Sequence, residues 1–234
     1  MQIGIGLGIP AVHGNIAGFT PLELSPTLWL DASDTSTITE VSGAVSQWDD
    51  KSGNGNDLVQ ASAALQPSTG TRTLNGLNVI DADGNDYMTN STLGSIAQPN
   101  TVFIVAKQDT QTQGALFDGN TSTTRHMFYE NSTTWNMFAG NASGNVGAWN
   151  TDEHVFTCAF NGASSWLRID GTQSANKNAG AQNLQGFTLF GSYGGAGRLS
   201  DAFIAELIVV DRQLTASEIA AAESYLANKW GITL

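Results

Sequence analysis

The end of the chain changes from a strand pattern to a helix pattern. Residues 198–211 form a nearly unbroken apolar run, which predicts a long buried strand. Directly after it, Thr215 fits a helix N-cap, and Glu218 three residues later completes a capping box. Leu214 and Ile219 fit the hydrophobic staple that often accompanies such a start. These signals predict a helix that begins at residue 215 or 216.

The segment after this start keeps the helical period until a glycine stops it. Its periodic positions are Ile219, Ala222, Leu226 and Trp230, and Gly231 follows as the stop signal. Upstream, short apolar runs alternate with turns rich in Gly, Asn and Asp roughly every ten residues, a spacing typical of β-sandwiches. Residues 101–106 and 154–160 are apolar on both faces and fit central strands. The pattern predicts an all-β sandwich with one C-terminal α-helix.

The first residues alternate strictly between glycine and an aliphatic residue. Glycine occupies positions 4, 6 and 8, and the aliphatic positions are Ile3, Ile5, Leu7 and Ile9. We predict that residues 1–21 form an extended N-terminal arm for docking or oligomerisation, and that residues 22–234 form the sandwich domain. Two other interpretations stay open, namely that the segment covers the core of its own domain or is a frayed end.

Composition narrows the classes of partner. Hydrophobic residues make up 41% of the 234 positions and charged residues only 13%, and the formal net charge is −12. Such an acidic surface repels phosphate backbones, so we expect no nucleic-acid partner. No apolar run approaches the roughly 20 residues that a membrane span needs. Cys158 is the one cysteine, so no intrachain disulfide forms, and its strand context predicts a buried thiol.

Four pieces of sequence resemble the laminin-G-like, concanavalin A-like lectin/glucanase superfamily. They are residues 28–34, residues 45–57, residues 75–87, and the strand and helix from Ile204 to Ile232. The resemblance implies an antiparallel jelly-roll sandwich whose relatives serve as carbohydrate binders, adhesion modules, virion parts or glycosidases. The alternating start followed by this domain also resembles structural proteins of tailed bacteriophages. Fold alone does not choose among these functions.

The candidate chemistry is sparse. Glucanases of this superfamily carry a Glu-x-Asp-x-Glu strand whose carboxylates share one face, and the sequence has no such triplet. Nor do one cysteine and three dispersed histidines suit a zinc site. We therefore expect no enzymatic activity. A glycoside hydrolase is the least favoured of the functions considered.

Two groups of residues are candidates for binding. Asp81, Asp83 and Asp86 concentrate oxygen ligands of the kind that calcium prefers, although a turn whose side chains bond their own backbone is the favoured explanation. For carbohydrate, aromatic platforms near loops or hairpin ends are expected, and the candidates are Tyr129, Trp135, Trp149 and Tyr193. No other cofactor is expected.

The leading hypothesis is a non-enzymatic structural protein of a phage virion, acting in capsid decoration or tail-associated adhesion. The arm would bind other virion proteins, and the jelly roll would be displayed on the outer surface of the virion. We expect the chain to form a homo-oligomer, and a host-surface glycan is a further candidate partner. The alternative is a soluble carbohydrate-binding module, secreted or extracellular.

Overall fold

The protein folds almost entirely into antiparallel strands. A computed structural model describes residues 18–234. The strands in chain order are β1 (Leu28–Asp31), β2 (Ile38–Val41), β3 (Ala44–Trp48), β4 (Leu58–Val59), β5 (Ser68–Leu74), β6 (Leu77–Asp83), β7 (Met88–Asn90), β8 (Asn100–Gln108), β9 (Ala115–Asp118), β10 (Met127–Asn131), β11 (Thr134–Phe138), β12 (Gly147–Ala148), β13 (His154–Phe160), β14 (Trp166–Ile169), β15 (Thr172–Gln173), β16 (Phe187–Leu189) and β17 (Asp201–Val210). The helix α1 spans Ala216–Trp230. The all-β prediction with one C-terminal helix is confirmed.

The strand pairings build two layers. In the first sheet, β17 lies between β8 on one side and both β6 and β1 on the other, and β13, β14 and β15 follow beyond β8. The second sheet runs in the order β2, β3, β4, β7, β16, β9, β10, β11, β12. A pairing of Ala44 with Ser68 joins the two layers at one corner, where β5 also pairs with β6. This arrangement is a β-sandwich consistent with a jelly roll.

The main core lies between the two sheets. Its buried side chains come from alternate positions of strands on both layers, as the two-residue period of a strand requires. The first sheet contributes Leu30, Ile104 and Phe156, among others, and the second contributes Trp48, Phe117, Phe128 and Trp135, among others. Cys158 is also fully buried here, and burial raises the pKa of its thiol. The thiol is therefore a packing group, as the sequence predicted.

Helix α1 covers the outer face of the first sheet. The Thr215 side chain accepts a hydrogen bond from the Glu218 backbone, and the reciprocal bond completes the capping box. Gly231 ends the helix with a φ of 73°, in the left-handed region that glycine adopts without strain. Trp230 and its helical neighbours form a second core with strand residues such as Phe103 and Ile208. Both helix ends were therefore predicted correctly.

A buried carboxylate ties α1 to the first sheet. Glu206 is fully buried and accepts hydrogen bonds from the indoles of Trp29 and Trp230, each at 2.8 Å. Lys229 Nζ donates to it at 2.8 Å and the Tyr225 hydroxyl at 3.0 Å. Burial raises the pKa of Glu206, while the Lys229 ammonium opposes that rise. Every donor belongs to the fold itself, so this cluster is structural.

The predicted arm residues Ile3, Ile5, Leu7 and Ile9 lie outside the described residues. Within them, Phe19 packs on Tyr225 of α1 with ring centroids 5.7 Å apart. Across residues 18–234, the one helix is too short and too polar to cross a membrane.

Candidate functional site

The three predicted calcium ligands do not converge. Asp81 points to Arg72, with a distance of 3.1 Å between Nη1 and Oδ1. Asp83 accepts from the Asn85 backbone at 3.0 Å, and Asp86 accepts from the Asp83 backbone at 3.2 Å. Burial raises the pKa of Asp86 to about 6, and the charge of Asp83 adds to the rise. In the described part of the chain, no group of three His, Cys, Asp or Glu is placed to hold a metal ion.

The four aromatic candidates separate into two pairs. Trp135 is 1% exposed and stacks on Phe128 inside the main core, so its ring does not face solvent. Trp149 is half-buried against the same core. Tyr129 and Tyr193 instead lie on the outer face of the second sheet, where arginine side chains cover them. Tyr193 is half-buried on this face, and Tyr129 is 5% exposed beneath the Arg198 guanidinium.

We call this surface the Arg–Tyr face, and it comprises Arg125, Tyr129, Phe138, Tyr193 and Arg198. Strand alternation explains its composition, since Met127 and Tyr129 on β10 point outward whereas Phe128 points into the core. Phe138 is the cross-strand partner of Met127 and joins the same small apolar cluster. Tyr193 and Arg198 come from the loop between β16 and β17, which folds over the sheet.

Arg125 is the centre of the Arg–Tyr face. Its guanidinium makes a two-pronged ion pair with the fully buried Asp118, in which Nε donates at 3.0 Å and Nη2 donates to the other oxygen. The Tyr193 backbone donates to the same carboxylate at 3.0 Å and so fixes the covering loop. Burial raises the pKa of Asp118 to about 6, while Arg125 opposes the rise.

The two arginines stack on the aromatic rings. The guanidinium carbon of Arg125 lies 4.5 Å from the centroid of Tyr193 and 5.3 Å from that of Phe138. Arg198 lies 4.7 Å from the centroid of Tyr129. Stacking of this kind orients a guanidinium without consuming all of its N–H donors. The face therefore combines rings of fixed orientation with directed donors.

The backbone beside Arg198 is strained. Arg198 has a φ of 48° and Gln113, whose carbonyl accepts from Arg198 Nη1 at 2.9 Å, has a φ of 57°. A left-handed conformation costs a non-glycine residue about 1 kcal/mol or more. Glu130 holds Gln113 in place by accepting its backbone N–H at 2.6 Å. Burial raises the pKa of Glu130, against the charge of Arg198. Such strain clusters at functional sites.

Sequence reasoning named the two tyrosines as candidates but neither arginine. No local pattern marks them, because Arg125 reaches the face from the start of β10 and Arg198 from a loop more than 70 positions later. The available signals are indirect, since the glycine-rich loop at residues 191–197 precedes Arg198 and a charged residue is rare in this chain.

Comparison with known proteins supports the fold. No protein-family model and no curated protein matches the chain. Among solved structures, it resembles the binding domain of Paraclostridial Mosquitocidal Protein 1, with 13% identity, a TM-score of 0.62, and 90% of this chain and 56% of that chain covered. An arabinofuranosidase complexed with arabinofuranosyl-α-1,2-xylobiose is 14% identical, with a TM-score of 0.60, and the match covers 87% of this chain and 59% of that chain. Trypanosoma rangeli sialidase in complex with sialic acid is 16% identical, with a TM-score of 0.57, and the match covers 88% of this chain and 33% of that chain.

These likenesses correct one prediction and leave another unsupported. We expected a protein without enzymatic activity, and this expectation is corrected, because the solved structures that share the fold of this chain include two enzymes, a sialidase and an arabinofuranosidase. A missing Glu-x-Asp-x-Glu triplet does not exclude activity in such a fold. The chain spans only 33% to 59% of the length of these structures. None of the three is a virion protein, so the phage assignment stays a prediction.

Proposed function

We propose that this chain is the carbohydrate-recognition domain of a glycan-binding or glycoside-hydrolysing protein, and that the Arg–Tyr face is its binding surface. The observation that carries the proposal is that two arginines stack on Tyr129, Phe138 and Tyr193 where the loop between β16 and β17 folds over the second sheet. Two structures that contain a bound sugar, the sialidase at 16% identity and the arabinofuranosidase at 14%, support the fold on which this surface lies.

The chemistry of the face suits a sugar. A pyranose ring presents C–H groups that pack on an aromatic ring and hydroxyls that need directed donors and acceptors around it. Tyr193 is half-buried and offers the ring, while Arg198, on the same loop, is exposed and offers N–H donors. The Asp118 ion pair holds Arg125 and the Tyr193 backbone in place before a ligand arrives. Such preorganisation lowers the entropy lost on binding.

A glycan array with the purified domain tests this proposal. We expect binding to a subset of glycans, and we expect Tyr193→Ala to weaken it at least tenfold, which corresponds to about 1.4 kcal/mol. Tyr193→Phe keeps the ring and should retain most of the affinity. The matched control is Val41→Ala, because Val41 is 74% exposed on a distant edge strand.

The same array gives two further readouts. Release of reducing sugar from each bound glycan measures hydrolysis, and repetition with EDTA tests the calcium prediction. Silence across the whole array, in binding and in hydrolysis, would refute the proposed function. Equal binding by the Tyr193→Ala and Val41→Ala variants would refute the Arg–Tyr face as the surface.

The virion role is not part of this proposal. It depends on Ile3, Ile5, Leu7 and Ile9, which lie outside the described residues, and on a resemblance that none of the comparisons supports. Assembly with other virion proteins, a homo-oligomeric state and location on a particle therefore remain predictions from the sequence.

A further inference from the structure

The cations of this acidic chain are nearly all neutralised. All nine lysines and arginines lie in residues 18–234, and seven of them form an ion pair with a carboxylate within 4.0 Å. The two that form none in this part of the chain are Lys177 and Arg198. Arg198 is the one that belongs to the Arg–Tyr face, so the face carries an uncompensated positive charge.

The position of Arg198 is held from several directions. Its carbonyl accepts from the Ala115 backbone at 2.8 Å, and the preceding carbonyl, that of Gly197, accepts from the Ser192 backbone at 2.8 Å. The guanidinium rests on Tyr129 and donates once, to the Gln113 carbonyl. Within residues 18–234 its other N–H groups have no acceptor, so one edge of the guanidinium is free for a ligand.

The surrounding charges do not cancel that of Arg198 at the surface. Asp118 is bound by Arg125, so this pair contributes no net charge. Glu130 is the other carboxylate near Arg198, but its residue is fully buried, it follows Tyr129 toward the opposite face of the strand, and it bonds to Gln113. What a ligand meets at the solvent side is therefore the exposed guanidinium of Arg198, with the half-buried ring of Tyr193 on the same loop.

We infer that Arg198 makes the Arg–Tyr face select glycans that carry an anionic group, either a carboxylate or a sulfate ester. The inference rests on the proposed function and adds the class of glycan. A guanidinium pairs with two oxygens of such a group through parallel N–H bonds, a geometry that a neutral hydroxyl does not match. The net charge of −12 otherwise repels an anionic glycan, so recognition requires a local exception.

The backbone conformation of Arg198 is consistent with this inference. Arg198 and Gln113 are two of the eight non-glycine residues in residues 18–234 with a positive φ, a conformation that glycine and asparagine adopt at lower cost. A purely structural role for the side chain is weak, since its single hydrogen bond lies at an exposed position. The free-energy cost of the left-handed backbone is explained if the Arg198 side chain binds a ligand.

Paired ligands test the inference. One pair is a uronic-acid oligosaccharide and its carboxyl-reduced form, and the other is a sulfated oligosaccharide and its desulfated form. We expect the wild type to prefer the charged member of at least one pair by tenfold or more, and the pair that shows the preference identifies the anion. Raising the salt concentration should weaken binding of the charged member only.

Variants then locate the preference. Arg198→Gln should bind both members of the pair alike, and Arg198→Lys should keep part of the preference, because it keeps the charge but not the fork. Arg198→Asn is a second neutral variant, since asparagine tolerates the left-handed backbone. Lys177→Gln is the matched control, because it removes the other unpaired cation and should leave the preference intact. Urea unfolding midpoints confirm that each variant is folded.

The outcomes separate this inference from the proposed function. Glycan binding without any preference for charge overturns the inference and leaves the proposed function standing. A preference that survives in Arg198→Gln and Arg198→Asn, or that Lys177→Gln abolishes equally, also overturns it. Absence of binding to every glycan tested overturns the proposed function itself.

Discussion

The two outer faces of the sandwich each bury a carboxylate among aromatic rings, but the two clusters have different roles. On the first sheet, Glu206 lies among two indoles, a phenol and Lys229, and helix α1 closes over all of them. On the second sheet, Asp118 pairs with Arg125 beside Tyr193. Both faces thus hold a buried carboxylate paired with a cation and surrounded by aromatic rings.

The two faces differ in the element that covers them, which is helix α1 on the first sheet and the loop between β16 and β17 on the second. The helix supplies five buried apolar residues and three of the donors to Glu206, so the first face is complete without a partner. The loop over the second face fixes its backbone on Asp118 but leaves Tyr193 half-buried and Arg198 exposed. The comparison teaches that a charged aromatic cluster is structural when the chain itself satisfies it, and becomes a candidate site when donors remain free.

Removal of the Glu206 carboxylate should have the largest effect. Glu206→Ala leaves Lys229 and two indole donors without their shared acceptor, and breaking a buried pair in this way costs about 3–5 kcal/mol. We expect the free energy of unfolding, measured by urea titration, to fall by that amount. Glycan affinity per folded molecule should not change, because the helix-covered face takes no part in binding.

Glu153→Ala is the control for this experiment. Glu153 pairs with Lys107 at 3.3 Å at a partly exposed position, and such pairs contribute about 0–1 kcal/mol. If Glu206→Ala were no more destabilising than Glu153→Ala, the helix-covered face would not be the closed structural unit described above.

Acid should weaken the second sheet through His126, which lies beside Arg125 but is fully buried on the core side. It stacks on Phe160 with ring centroids 4.2 Å apart, and burial lowers its pKa to about 4 from the ordinary 6.5. The neutral ring therefore contributes stability that is present above pH 6.5 and is lost as pH falls toward 4. By proton linkage the loss at pH 4.5 is about 2.5 kcal/mol.

The variant His126→Gln provides the test, since glutamine does not titrate but retains a donor for the Gln182 carbonyl, which His126 Nε2 contacts at 2.7 Å. Urea titrations of the wild type and the variant at pH 7 and pH 4.5 give their free energies of unfolding, and the difference between the two proteins is compared at the two pH values. We expect the wild type to lose about 2.5 kcal/mol relative to the variant over this interval. Parallel losses would show that His126 is not what makes this side sensitive to acid.

The part of the fold that depends on local signals was predictable. The helix start at Thr215 and its stop at Gly231 follow from a cap and a glycine, which act within a few residues. The turn between β14 and β15 is equally local, because Asp170 and Gly171 are residue types that adopt the positive φ both of them have there. Local chemistry determines such features, whatever the rest of the chain does.

The candidate site was predictable only in part, for two physical reasons. First, alternation shows which residues of β11 share a face but not which of the two faces is exposed to solvent. Trp135 on one face and Phe138 on the other are both aromatic, so residue type does not distinguish the faces. Secondly, Arg125, Tyr193 and Arg198 meet only through strand pairing between β9, β10 and β16. Long-range pairing of this kind leaves no signal within the neighbourhood of any single residue.

The smallest effect that we predict concerns the start of α1, the element that closes the first face. Thr215→Ala removes the side-chain oxygen that accepts from the Glu218 backbone at 3.3 Å. Loss of an N-cap threonine costs about 1 kcal/mol. Urea unfolding should show this decrease, whereas Ser91→Ala, which changes an exposed hydroxyl in the loop after β7, should stay within about 0.5 kcal/mol of the wild type. Because the helix covers only the first face, glycan binding should be the same in both variants, and a change in Thr215→Ala alone would mean that the two faces are coupled.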